Sequence, residues 1–373
     1  MKETRFRFNA HECAGALGDL GTLLPFVIGF IAVCGLDAAA LFITLGIGNL
    51  LCGLVFRVPI PLQPMKLIAV VAIAGQWTPG MLYACGIATG IIWTILGLTR
   101  AMTVIGRCTP VPVVNGIQAA LAILLGYKAL ELIQAQWLLA ILSIFIIIAC
   151  RRSRHVPAAL VLIGLAAIIM WLKKDVSLSI QPTFSLPGFP QIAFNQTWEV
   201  MLRAGFAQIP LTAANAVIAT TALAHSYWPD NGITEKKLSL SIGLFNLGAP
   251  LTGGMPICHG AGGLAAQYAF GARTCGAKII EGTIMLAIGL FLAGSIAELL
   301  AAFPGSILGV MLLVVAFELV KPAGATRTRA NLTLLAITLI SALLINMAAG
   351  FLIGIGWHYA RQRFTKLNLE KNS

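Results

Sequence analysis

Lys66 places an ammonium group inside an apolar run, and an ionisable side chain at that depth is costly enough to mark function. It ends the stretch Pro61-Leu62-Gln63-Pro64-Met65-Lys66, which opens one hydrophobic segment; Pro256-Ile257-Cys258-His259-Gly260-Ala261-Gly262-Gly263 opens another. Together with Pro59, the prolines at 61, 64 and 256 break the backbone, so each segment is expected to start as a fresh helix whose first amides have no partner. A helix N-terminus carries roughly +0.5 charge. Two such ends facing one another form an anion site, and with Lys66 they present about +2, matching a doubly charged tetrahedral oxyanion. Gly260, Gly262 and Gly263 remove side chains where that anion would touch backbone N–H groups, although close helix packing would also use glycine.

Other polar residues in apolar runs extend the candidate site. Gln63 lies within the first break, and Thr22 in the first span can donate to an oxyanion. Asp19, three residues earlier, is a candidate for proton handling or for supporting Lys66, whose structural alternative is an ion pair with Asp19 or Glu12. Glycines 15, 18 and 21 read as helix packing and not as a dinucleotide fingerprint, because no strand precedes them. Gln208, Thr212 and Asn215 recur at i, i+4 and i+7 on one helical face, as substrate donors or as polar glue between helices. His259 stands at the mouth of the second half-helix, to donate to the anion, to titrate as a coupling-proton site, or to bond a carbonyl as a core histidine. Glu281 and Glu318 are expected near cytoplasmic helix ends, with Glu281 a further proton-coupling candidate. No metal centre is expected, since Cys258 and His259 are adjacent and point apart, and the eight cysteines form no Cys-x-x-Cys pair. No cofactor is implied.

The two breaks are copies of one another. Asn49-Leu50 precede Pro59-Ile60 as Asn246-Leu247 precede Pro256-Ile257, at a constant offset of 197 residues that also relates Gly46 to Gly243. Repeated irregular backbone inside hydrophobic segments is the signature of a secondary transporter with its site between two interrupted helices. Composition agrees: 58% of the residues are hydrophobic and 10% charged, with a mean hydropathy of +0.91, which excludes a soluble domain. The net charge of +12 reflects basic residues in short loops rather than a nucleic-acid surface.

Fourteen hydrophobic segments are expected, including 13–34, 62–75, 198–224, 259–271, 276–298 and 348–361. Segments three and ten are too short to span and are predicted half-helices meeting at the midplane. A first repeat over 1–172 and a second over 198–362 are joined by an external loop, 173–197, with strand-like alternation at Val176, Leu178 and Ile180; a cytoplasmic tail, 363–373, follows. The half-helices are offset by seven segments, and an odd offset inverts the second repeat. With both termini cytoplasmic, most of the 25 basic residues, Lys278 among them, fall on the inside; Lys128, Lys173, Lys174 and Arg203 fall outside. The N-terminus lacks the marks of a removable signal peptide, so the first helix is expected to remain in a cell membrane, inner or plasma. Gly350-x-x-x-Gly354 could support helix contact within or between chains, and a homodimer is one arrangement it would serve.

Three segments, Gly15-Ala16-Leu17-Gly18-Asp19-Leu20-Gly21-Thr22, Pro59 to Lys66 and Pro256 to Leu264, resemble the signatures of the molybdate transporter family, a relative of the SulP sulfate permeases; Gln267-Tyr268-x-Phe270-Gly271-Ala272-Arg273 also fits. The resemblance implies an all-α, seven-plus-seven inverted-repeat membrane fold. It also implies a core domain of spans 1–4 and 8–11, a gate domain of spans 5–7 and 12–14, and uptake of molybdate first and sulfate second. The short tail leaves no room for the regulatory domain usual in sulfate permeases. An anion channel would use the same half-helices but leave a continuous pore. An intramembrane enzyme is disfavoured for want of a metal spacing, nucleophile elbow or phosphate loop.

Overall fold

The computed structural model describes residues 6–99, 101, 108–150, 158–173, 184, 188–230, 232–325 and 328–371. Its helices follow the fourteen expected segments in order: α1 (Ala10–Leu17) with α2 (Leu20–Ala32), α3 (Ala38–Phe56), α4 (Lys66–Ala74), α5 (Pro79–Leu98), α6 (Val111–Gln134), α7 (Trp137–Cys150) and α8 (Ala158–Lys173) in the first half. The second half contains α9 (Phe194–Tyr227), α10 (Glu235–Gly248), α11 (Ala261–Phe270), α12 (Gly276–Phe291) with α13 (Ala293–Ala301), α14 (Gly305–Val320), α15 (Arg329–Leu344) and α16 (Met347–Lys371). Among the described residues, five helices are long and apolar enough to cross a membrane, or seven when the bent pairs α1–α2 and α12–α13 each count as one span. Large apolar side chains such as Val55, Phe145, Ile148 and Leu352 are exposed, the surface a bilayer would cover.

The inverted pattern is visible in the packing. α3 lies along α12 and α10 along α5, so the second span of each half pairs with the fourth span of the other. Gly46 and Gly243 make both crossings close: a Cβ on Gly46 would stand 2.6 Å from the Leu286 amide, and one on Gly243 2.6 Å from the Thr94 amide. Only a residue without a side chain admits those backbones.

Segments three and ten are half-helices as expected. α4 and α11 contain 9 and 10 residues, about 14–15 Å of helix against a hydrocarbon core of about 30 Å. Each is preceded by two extended residues, β1 (Gln63–Pro64) and β2 (Ile257–Cys258), which pair antiparallel with Gln63 opposite Cys258. The pairing sends the two helices away in opposite directions from a shared starting point. Asn246 pins β2 by accepting from the Ile257 amide at 2.9 Å and donating to its carbonyl at 2.6 Å.

Several expectations need correction. The first span is not continuous: it bends by 45° between α1 and α2, where Gly18 and Asp19 are poor helix formers and Asp19 turns its carboxylate to its own neighbours. Gly15 and Gly18 pack as expected, against Ala272 and the Ala266–Phe270 turn, but Gly21 has nothing within 4 Å of its Cβ position. The eighth span is longer than predicted and carries wide π turns at Met201–Gly205 and Ala213–Ile218; Asn215 falls inside the second, so ideal i+7 spacing from Gln208 does not apply. The eleventh span bends by 92°. The last helix runs on to Lys371, past the predicted end at 361. Lys278 and Glu281 are not at an interface but buried and paired with each other; Glu318 is exposed beside Lys321, as expected of an interfacial residue. Val176, Leu178 and Ile180 lie outside the described residues.

Candidate functional site

The bend between α1 and α2 brings Asp19 and Thr22 against the paired strands. Gln63 Nε2 donates to Asp19 Oδ1 at 2.6 Å and to Thr22 Oγ1 at 2.8 Å, and Thr22 Oγ1 donates to the same carboxylate oxygen at 2.6 Å. This triad faces the start of α11. A Cβ on Gly263 would stand 2.7 Å from both Asp19 Oδ2 and Gln63 Nε2, and one on Gly260 would collide with Gln63 Oε1. Those two glycines therefore make room for the triad, whereas Gly262 has nothing within 4 Å and is exposed. Gly262 is the position left open to a ligand.

The two half-helices begin differently. At α4, Gln208 Oε1 accepts from the amides of Leu67 (2.9 Å) and Ile68 (3.3 Å), while Gln208 Nε2 donates to Thr212 Oγ1 at 2.6 Å. Both side chains are buried. Gln208 and Thr212 thus meet as predicted, but here the glutamine caps the first half-helix. At α11 no side chain caps the helix; Gly263 and Leu264 amides turn back to the Gly260 carbonyl, so the two amides ahead of them, of Ala261 and Gly262, stand as the free pair. Lys66 is the first residue of α4, partly exposed, and among the described residues it forms no ion pair. Asp19 is held by Thr22 and Gln63, and Glu12 Oε1 accepts from the amides of Arg273 and Thr274. Neither acid neutralises the lysine.

His259 ties the site together. Its Nδ1 lies 2.9 Å from the Pro61 carbonyl and its Nε2 2.9 Å from Ser241 Oγ, while its own carbonyl accepts from Thr220 Oγ1 at 2.7 Å. With both ring nitrogens engaged, the histidine fixes the first break to the second. Behind α11, Lys278 Nζ donates to Glu281 Oε2 at 2.6 Å and Gln267 Nε2 donates to the same oxygen at 3.0 Å. Lys278, Gln267, Ser241 and Asn246 were not singled out as site residues from sequence. In the sequence Asn246 is a repeat position and Gln267 belongs to the family-like run Gln267 to Arg273, while Lys278 and Ser241 are legible as polar residues interrupting apolar runs.

Four buried atoms around this cluster have no hydrogen-bond partner among the described residues: Asp19 Oδ2, Gln63 Oε1, Gln267 Oε1 and Glu281 Oε1. All four are acceptors. A buried region with spare acceptors favours the arrival of a proton or another donor. Two apolar grooves lie elsewhere, one of about 630 Å³ between α3 and α10 and one of about 560 Å³ between α9 and α16; neither touches the half-helix N-termini.

Residues 11–125 and 200–319 match the family model described as a molybdate transporter of the MFS superfamily. The chain belongs to the molybdate transporter family. The two matched blocks start in the first span of each half and take in both half-helices. Molybdate transporter 2 of Arabidopsis thaliana is 32% identical over 361 residues, covering 83% of this chain and 77% of the relative. Molybdate transporter 1 of the same plant is 30% identical over 398 residues, covering 94% and 87%. Among solved structures, SLC26A9 superposes with a TM-score of 0.72 at 14% identity, covering 95% of this chain and 65% of that one. The transmembrane domain of the cyanobacterial bicarbonate transporter BicA gives 0.67 at 16% identity, covering 91% and 96%. As a member of that family the chain is a multi-pass membrane anion transporter and not an enzyme, and its fold is the seven-plus-seven inverted repeat.

Proposed function

We propose that this member of the molybdate transporter family is a secondary active transporter that takes up molybdate, binding it where α4 and α11 begin. The observation that carries this reading is the open, uncapped start of α11 at Ala261 and Gly262, beside a first half-helix whose leading residue, Lys66, has no carboxylate partner among the described residues. Free amides, two helix dipoles and an ammonium suit a tetrahedral dianion. Thr22, partly exposed next to Gly21, spends its one hydroxyl proton on Asp19 and so orients that carboxylate instead of donating to the anion as its sequence position suggests. Gln208 and Thr212 contribute by holding α4. Asp19, with one carboxylate oxygen unpartnered and no ion pair among the described residues, is the coupling-proton residue of this scheme; Glu281, neutralised by Lys278, and His259, with both ring nitrogens engaged, support the frame.

Spans 1–4 and 8–11 act as the core domain that carries the anion past a gate of spans 5–7 and 12–14, with both termini cytoplasmic. Uptake of labelled molybdate into proteoliposomes, with sulfate as competitor, tests the proposal. Saturable uptake that resists excess sulfate supports it; stronger inhibition by sulfate moves the substrate to sulfate, and non-saturable flux moves the mechanism to a channel.

A further inference from the structure

The triad of Asp19, Thr22 and Gln63 contains a mismatch that suggests how proton and anion binding are linked. Gln63 spends both amide hydrogens on Asp19 and Thr22, leaving its carbonyl oxygen buried, unpartnered and turned toward Gly260, at the start of α11. Asp19 Oδ2 is likewise buried and unpartnered beside Gly263. A bare acceptor beside the start of α11 is the wrong polarity for receiving an oxyanion there. Rotating the carboxamide by about 180° exchanges its oxygen and nitrogen without moving any other heavy atom, because the two ends have nearly the same shape.

That rotation requires a donor where Gln63 Nε2 now sits. Ionised Asp19 has none to offer. With one proton on its carboxyl, Asp19 donates to the rotated Gln63 oxygen, the Thr22 hydroxyl donates to that same oxygen, and the Gln63 NH₂ group is delivered to Gly260. We infer that Gln63 is a proton-operated switch: its amide repels the oxyanion when Asp19 is ionised and binds it when Asp19 is protonated. One proton is taken up for each anion bound, no covalent bond other than the O–H changes, and release of the anion returns the proton.

The surroundings hold the switch on Asp19. Lys278 and Glu281 from α12 are within electrostatic range of Asp19, but they are locked to each other, and Gln267 of α11 is committed to Glu281. Cys258 of β2 feels both Asp19 and Lys66, and His259 has both nitrogens engaged. Glu12 of α1 is held by the turn after α11.

The inference rests on the half-helix N-termini being the anion site, and the test separates the two. Equilibrium binding of labelled molybdate to the purified protein is measured from acid to alkaline pH in the wild type, Asp19→Asn, Gln63→Met and Gly262→Leu. A single linked proton makes the wild-type Kd rise by about tenfold per pH unit above the titration of Asp19. Asp19→Asn, neutral and able to donate, should bind with a Kd that no longer changes with pH. Gln63→Met should bind at least about tenfold more weakly, also without pH dependence. Proton uptake by the wild type, read with a pH dye in weak buffer as molybdate is added, should approach one proton per anion and needs no variant to fold. Wild-type pH dependence in Asp19→Asn or in Gln63→Met, or no proton uptake on binding, overturns the switch. Undiminished binding by Gly262→Leu overturns the site itself.

Discussion

At the scale of single residues, neighbouring glycines in one motif carry different duties. Gly263 touches the triad and Gly262 touches nothing, so their alanine variants should separate packing from binding. Gly263→Ala drives a methyl to 2.7 Å from Asp19 and Gln63 and should cost about 1–3 kcal/mol of stability, read as a lowered melting temperature in detergent. Gly262→Ala should melt like the wild type but weaken molybdate uptake. Lys66→Ala should likewise leave the melting temperature nearly unchanged, because no ion pair is lost, while reducing uptake at least about tenfold. Lys66 was legible from sequence because a charge in an apolar run has few roles. Gln63 was legible only as a donor near the anion; that its amide is shared between Asp19 and Thr22 depends on a bend at Gly18 and Asp19 that helical periodicity passes over.

At the scale of elements, the repeat offset located both half-helices correctly, since proline breaks and segment length are local properties. It did not show that equivalent residues are used differently. Asn246 clamps both polar groups of Ile257, while Asn49, also buried, has only a 3.4 Å contact from its amide to Met285 Sδ. Asn246→Ala strands a buried amide and carbonyl and should cost about 2–4 kcal/mol; Asn49→Ala should cost clearly less, and thermal unfolding of the two variants compares them directly. The same limit applied to Lys278. Position in a chain of alternating loops assigned it to the cytoplasmic side, but the start of α12 is packed under α3 and α1, and there a lone ammonium would be untenable without Glu281. Lys278→Met should destabilise by about 3–5 kcal/mol, with the double change Lys278→Met, Glu281→Leu recovering most of that loss.

At the scale of the whole molecule, inversion places two unlike N-termini at one centre: a capped half-helix led by a lysine and an uncapped one lined with glycine. The asymmetry suits a substrate that must be released as well as bound, because one half supplies fixed charge and the other supplies backbone donors beside Gln63, the proposed switch. The fold class was legible from hydropathy and the repeat alone. The connections among spans 1, 3, 8 and 10 and the breaks that precede the half-helices were not, since they join residues as far apart as His259 and Pro61, 198 positions. The most direct measurement is equilibrium binding of labelled molybdate to purified wild type and Gly262→Leu, each shown to be folded by its melting temperature. Saturable binding by the wild type, lost in the folded variant, is the predicted result; equal binding by both would contradict the placement of the anion at the paired half-helices.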